Sequence, residues 1–250
     1  MVRGERVCSR AAEGLGSVSE KIAVLAALAR EVRPLVGNAE PDRTLRRQGV
    51  YLYRVPGAVI VAAGMGAARA SVALAAARDA GEVAEVVSVG LAGACAPEWL
   101  PGTVVEPAVV VDARTGERFV ADGAVTDGTV LVSAEAIASV REKARLAATY
   151  GAGLVDMEAA TVARLARAHG MRFRAVKGIS DAHDFELASL GQFADSRGEF
   201  RTAAFAWHTA LRPGQWRRAM RLGRHSQGAL TLLGQRMAAI LDRAAKGEAA

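Results

Sequence analysis

Three acidic residues, Glu31, Glu158 and Asp181, stand where carboxylates can do chemistry. Glu31 follows the apolar run Ile22–Leu25, near the start of a helical stretch. Glu158 lies in Val155-Asp156-Met157-Glu158 at the first turn of another, and Asp181 closes Lys177-Gly178-Ile179-Ser180-Asp181 straight after the run Arg172–Val176. Singly, each has an ordinary explanation. An acid near a helix N-terminus gains about 0.3–1 kcal/mol from the helix dipole, and Ser-Asp after a strand is a common turn. Together, acids that follow three different strands can converge on one polar pocket. Such a pocket suits cleavage of a glycosidic bond: one acid protonates the leaving group, another handles water, and a third grips sugar hydroxyls.

Two small-residue segments sit beside these acids. Ala63-Gly64-Met65-Gly66-Ala67-Ala68 follows the run Ala58–Ala62 and opens a helix. Its glycines let backbone approach a ligand, and the free N–H groups of a helix start favour an oxygen-rich partner. The segment is superficially like G-x-G-x-x-G, but Arg69 takes the third glycine position and no acid closes a second strand about 20 residues on, so dinucleotide binding is disfavoured. A tight turn for helix–strand packing is the competing reading. Gly90-Leu91-Ala92-Gly93-Ala94, after Ala84–Val89, reads as a second turn, and the two suggest one shared ligand floor.

The elements that must position these residues alternate. Candidate strands are Ile22–Leu25, Ala58–Ala62, Ala84–Val89, Thr103–Val111 and Arg172–Val176; candidate helices span 27–36, 67–80, 134–149 and 157–168, the last closed by Gly170. Apolar runs alternating with helices predict an α/β fold with a largely parallel, buried sheet. Ligands in such sheets gather beyond the carboxyl ends of the strands, where these acids lie. Residues 112–127 read as a loop or hairpin.

The chain resembles the purine nucleoside phosphorylase and nucleosidase superfamily, most closely its methylthioadenosine/adenosylhomocysteine nucleosidase branch. The resemblance covers roughly residues 20–185 and rests on KIAVLAALAREVRPL, AAGMGAARA, SVGLAGACAP, PGTVVEP, VSAEAIAS, VDMEAATVARLA and KGISDAHD in that order. It implies a three-layer α/β/α sandwich with a mostly parallel or mixed central sheet, and hydrolytic cleavage of a purine N-ribosidic bond, with a 5′-substituted adenosine as substrate. Asp181 then matches the acid that protonates the purine at N7, and Ser180 holds it. Glu158 matches the carboxylate on the ribose hydroxyls, Met157 the apolar contact under the sugar, and Glu31 the acid that positions the attacking water. Gly64, Met65 and Gly66 would line the ribose side, with Gly90 a further binding candidate. Ile137 stands where relatives carry a base-stacking aromatic. Two more departures bear on the nucleophile. Ala63 replaces a water-holding Ser, and Ser88 replaces the arginine that phosphorolytic relatives place on phosphate. Losing that cation favours water, and phosphorolysis with phosphate as co-substrate is the alternative.

Charge divides the chain. Of 32 basic and 26 acidic residues (net +6), residues 186–250 hold ten and five, leaving +1 for residues 1–185. Nucleic-acid binding therefore has no support in the body of the chain. The basic tail, with Pro213-Gly214 as a break and Arg212–Arg224 as its densest part, reads as helical. It packs on the domain or meets a membrane surface, and it resembles the tail of hopanoid-associated phosphorylases, which act on a lipid-linked adenosine. The organisation expected is an N-terminal extension over 1–20, a catalytic domain over 21–185 and a basic helical extension over 186–250. The longest uncharged stretch, Val55–Ala68, has 14 residues, whereas a membrane-spanning helix takes about 20. Residues 1–20 lack a signal-peptide core. With two cysteines and four histidines in no cluster, no metal or cofactor is expected. A cytoplasmic homo-oligomer, a dimer first, follows from the resemblance. The reading from another class is an inactive ligand-binding or membrane-associated module.

Overall fold

The computed structural model describes residues 21–122, 126–187 and 216–246. The expected N-terminal extension, the Pro213-Gly214 break and Arg212 lie outside the described residues.

Among the described residues ten strands form one mixed sheet: β1 Ile22–Ala26, β2 Tyr51–Val55, β3 Ala58–Ala62, β4 Glu85–Ala94, β5 Val104–Val105, β6 Pro107–Asp112, β7 Arg118–Val120, β8 Thr126–Ser133, β9 Ala152–Asp156 and β10 Arg172–Asp181. Among the described residues the helices are α1 Ala29–Val36, α2 Arg43–Arg47, α3 Ala67–Asp79, α4 Val140–Tyr150, α5 Ala159–Ala168 and α6 Trp216–Ala245. Strands β1, β4 and β10 run parallel, so their carboxyl ends share one edge of the sheet. β9 meets the end of β4 antiparallel, with Gly93 opposite Val155. The α/β architecture expected from the sequence is the one observed.

Five aliphatic residues in β1 and five in β3 are all buried, because helices cover both faces of the sheet. On one face α3 and α5 pack through alanines (Ala73, Ala77, Ala159, Ala163), which let helix and sheet approach closely. On the other, α1 and α6 cover β1, β3 and β10 with Val32, Leu230, Leu233, Met237 and Ile240. A core built on Ala and Val needs few aromatics, in keeping with their 5% share of the chain. Over its described part the basic tail thus buries an apolar stripe against the sheet, with Arg221 and Arg224 exposed and Arg236 half-buried against Glu106. Its close approach depends on Gly178 of β10, where a Cβ would stand 3.0 Å from that of Ala229 and 3.3 Å from its carbonyl oxygen. No helix among the described residues is long and apolar enough to cross a membrane.

Several sequence expectations change. Gly90–Ala94 is no turn but the second half of β4, held in the sheet by β10 over Gly90–Gly93 and by β9 at Gly93 and Ala94. Residues 134–139 are not helical; α4 starts only after Ser139, whose side chain caps it by accepting from the Glu142 N–H at 3.2 Å. β2, β8, β9 and α2 were not foreseen, and Asp112–Val120 does form a hairpin, β6 with β7.

Candidate active site

A cavity of about 360 Å³ opens at the carboxyl ends of β1, β4 and β10. Its size lies at the small end of ordinary ligand sites. Glu31, Glu158 and Asp181 all line it, and so do Ser180, Met157, Met65, Gly90 and Ile137. Gly64 and Gly66 do not reach the wall. They have positive φ (112° and 90°) and turn the backbone out of β3 into α3.

Glu31 sits on the third residue of α1, and its carboxylate is gripped at both ends. Oε2 accepts from the Leu28 N–H at 2.9 Å and Oε1 from the Leu91 N–H at 3.1 Å. The second contact is possible because Gly90, at φ +139°, carries no side chain: a Cβ there would lie 3.1–3.2 Å from the Glu31 carboxylate. Burial pushes the Glu31 pKa up, only partly offset by those two donors and by the Lys177 charge.

Asp156 and Glu158, one residue apart from each other, have opposite roles. Asp156 serves the fold. Its Oδ2 accepts from the Ala159 N–H at 3.0 Å, covering the start of α5, while Ser133 accepts from the Ala160 N–H at 2.9 Å and donates to Asp156 Oδ1. Glu158 reaches across instead, accepting from the Gly66 N–H at 2.6 Å and the Met157 N–H at 3.3 Å. The loop after β3 and the start of α5 are thereby joined through the acid. Burial, reinforced by the Asp156 charge, pushes its pKa up to about 7.

Asp181 ends β10 with its side chain 1% exposed. Ser180 Oγ lies against Asp181 Oδ1 and 3.2 Å from the Ala92 carbonyl oxygen, so its single proton can serve either acceptor. Burial raises the Asp181 pKa, against the lowering effects of Lys143 and Ser180. A Cβ on Gly93 would fall 3.0 Å from Asp181 Oδ2. The small residues of β4 are therefore a floor on which two carboxylates lie, as strand rather than as turn.

Two buried lysines were missing from the sequence reading. Lys177 of β10 donates to Asp156 Oδ2 at 2.9 Å and Ser88 Oγ at 3.0 Å; Lys143 of α4 pairs with Asp181 and donates to the Ala182 carbonyl oxygen at 2.8 Å. Lys177 was in view, four residues ahead of Asp181 within a quoted motif. The signal for Lys143 was its place three residues before Leu146, on the buried stripe of α4. Also unforeseen is the wall contributed by α6, through Leu222, Ser226, Gln227 and Leu230. Arg69, the residue that breaks the G-x-G-x-x-G pattern, closes the Gly64–Gly66 loop by donating to the carbonyls of Ala63 and Gly49. Among the described residues no cluster of three or more His, Cys, Asp or Glu could hold a metal ion.

This fold is that of solved nucleosidases. A 5′-methylthioadenosine/S-adenosylhomocysteine nucleosidase from Helicobacter pylori, in complex with butyl-thio-DADMe-Immucillin-A, superposes with a TM-score of 0.65 at 13% identity, covering 90% of this chain and 98% of that one. Futalosine hydrolase of the same organism gives 0.62 at 14% identity, with 92% and 99% covered. A mutant of the nucleosidase with 5′-methylthioadenosine in its active site gives 0.59 at 17%, with 77% and 98% covered. The sequence itself matches the phosphorylase superfamily over residues 21–126 and 116–207, and the chain belongs to that family. It is accordingly an enzyme of nucleosidase or phosphorylase type. Comparison with curated proteins yields no match.

Proposed function

We propose that the protein hydrolyses the N-ribosidic bond of a purine nucleoside carrying a substituent at the 5′ carbon, a 5′-substituted adenosine of the methylthioadenosine type. The observation that carries this reading is the convergence of Glu31, Glu158 and Asp181, each held differently, on one cavity. Asp181 is the general acid: its proton goes to purine N7 as the C1′–N9 bond breaks and the bonding electrons leave with the base. Glu158 accepts from the ribose hydroxyls, and Met157 packs under the sugar. Glu31 orients the water that adds to C1′ and takes up its proton. Nucleoside and water thus become free base and a ribose bearing a hydroxyl at C1′. Ser180 keeps Asp181 in place, and Ile137 borders the base.

The electrostatics favour water over phosphate as nucleophile. Both buried cations of the wall, Lys143 and Lys177, already face a carboxylate, and four acids line the cavity with them. A phosphate dianion would have to displace those pairings. Purine release from a panel of methylthioadenosine, adenosylhomocysteine, adenosine and inosine is expected at the same rate with and without phosphate. Strict dependence on phosphate would transfer the assignment to phosphorolysis.

Glu158 sets a pH dependence. Its raised pKa means that the folded protein holds this proton until about pH 7, where an unfolded glutamate has long released it. The stabilisation gained from the neutral form is complete below the ordinary glutamate pKa and is lost as pH rises through about 7. Only the ionised form accepts from both ribose hydroxyls. On the free enzyme kcat/KM should therefore fall below about pH 7, and Glu158→Gln should remove that limb along with most of the sugar affinity. A limb that persists unchanged in the variant would reassign it.

A further inference from the structure

We propose that Lys143 is a positioning residue that compensates the carboxylate Asp181 becomes when its proton passes to the departing base. The inference rests on the function proposed above and deepens it. Lys143 lies in the first turn of α4, a helix that otherwise turns Arg145 and Glu142 toward each other at the surface. A lysine fully buried from such a helix is a costly choice for a merely structural role, since an apolar residue fills that space without desolvating a charge. Its ammonium is spent on three acceptors at one place: Asp181 Oδ2, the Ala182 carbonyl oxygen at 2.8 Å and the Phe185 carbonyl oxygen at 3.2 Å. All three follow the same chain segment, so Lys143 fixes both the acid and the turn that leaves it. Gly93 of β4 permits the arrangement, since a Cβ there would also stand 3.2 Å from Lys143 Cε.

The division of labour on Asp181 is by oxygen atom. Oδ2 faces the ammonium and Oδ1 faces the Ser180 hydroxyl. As the C1′–N9 bond breaks, the buried acid turns into an anion, and the cation is already in contact with it. The proton goes from Asp181 to N7, and Lys143 keeps all of its own. The other titratable groups around the pair are Cys95, whose thiol burial pushes up to about 12, and Glu142, which Arg145 engages. His183 and Asp184 follow in the turn. Among the described residues Lys143 is the cation paired with the Asp181 carboxylate.

The test is a double-mutant cycle on the full chain with Lys143→Met, Asp181→Asn and the pair together, reading kcat and KM for purine release. Lys143→Met is expected to lower kcat by about 10–100-fold, part of what a general acid contributes, with KM within about threefold. In the Asp181→Asn background the same substitution should cost nothing further, because the anion it serves no longer forms. Losses that multiply, a loss confined to KM, or an unchanged kcat would each overturn the assignment. Lys143→Gln repeats the cycle should the methionine variant not fold. A wild type that releases no purine from any nucleoside would overturn the parent reading instead, which keeps the two failures apart.

Discussion

Asp181→Asn should lower kcat on a neutral purine nucleoside by about 10²–10⁴-fold and leave KM almost unchanged. The amide keeps the shape of the side chain and can still accept from Ser180, but it has no proton to give. A purine leaves poorly as an anion, so the loss falls on bond cleavage and not on binding. The same argument sets a control. On 4-nitrophenyl riboside, whose phenolate departs without a proton, the gap between wild type and variant should shrink to a few-fold. An equal loss on both substrates would show that Asp181 acts by holding the fold or the sugar. The variant should also melt earlier, because an amide that accepts from Ser180 turns its NH2 toward the buried Lys143 ammonium, donor against donor. Assays below the melting range of each protein separate that effect from catalysis.

Glu31→Gln should be comparably damaging, for a different reason. Both oxygens of Glu31 accept backbone N–H groups, one from Leu28 and one from Leu91. An amide offers one oxygen and one NH2, so one of those donors must face another donor, and the side chain loses the grip that fixes its direction. It also loses the capacity to take a proton from water. A fall of about 10²–10⁴-fold in kcat is expected, and it should be the same for the nucleoside and for 4-nitrophenyl riboside, because both must be attacked by water. A loss that disappears with the activated substrate would place Glu31 on the leaving-group side.

These two acids were legible from the sequence because they follow strands whose apolar character is local. Ile22–Leu25 and Arg172–Val176 read as strands from their apolar runs, and the two acids lie a few residues beyond those runs, although β10 itself continues to Asp181. What stayed hidden depended on partners distant along the chain. Gly90–Ala94 has the composition of a turn, and it is a strand because β10 pairs with it as far as Gly93 and β9 takes over at its end; pairing with strands so distant along the chain leaves no local trace. Ala152–Asp156 is masked in the same way by its Ala-Gly start. The capping residue Ser139, with Glu142 three positions on, was a readable signature for the true start of α4. The neighbouring Ala-rich residues obscured it. Lysines 143 and 177 were overlooked because a lone lysine is usually solvated, and only the fold shows that each is buried against a carboxylate.

The cavity wall formed by α6 ties two kinds of selection together. Leu230 belongs both to the core between the helix and the sheet and to the lining of the site. Substrate choice and folding therefore draw on one side chain. A smaller residue there would open room for a bulkier nucleoside and at the same time leave a hole in the core, which for leucine to alanine costs about 2–5 kcal/mol. Changes of specificity along this wall should then come paired with compensating changes elsewhere, or at neighbours such as Ser226 and Gln227 that touch the cavity without belonging to the core. A lineage exploring new substrates through α6 has its easiest route along that polar edge.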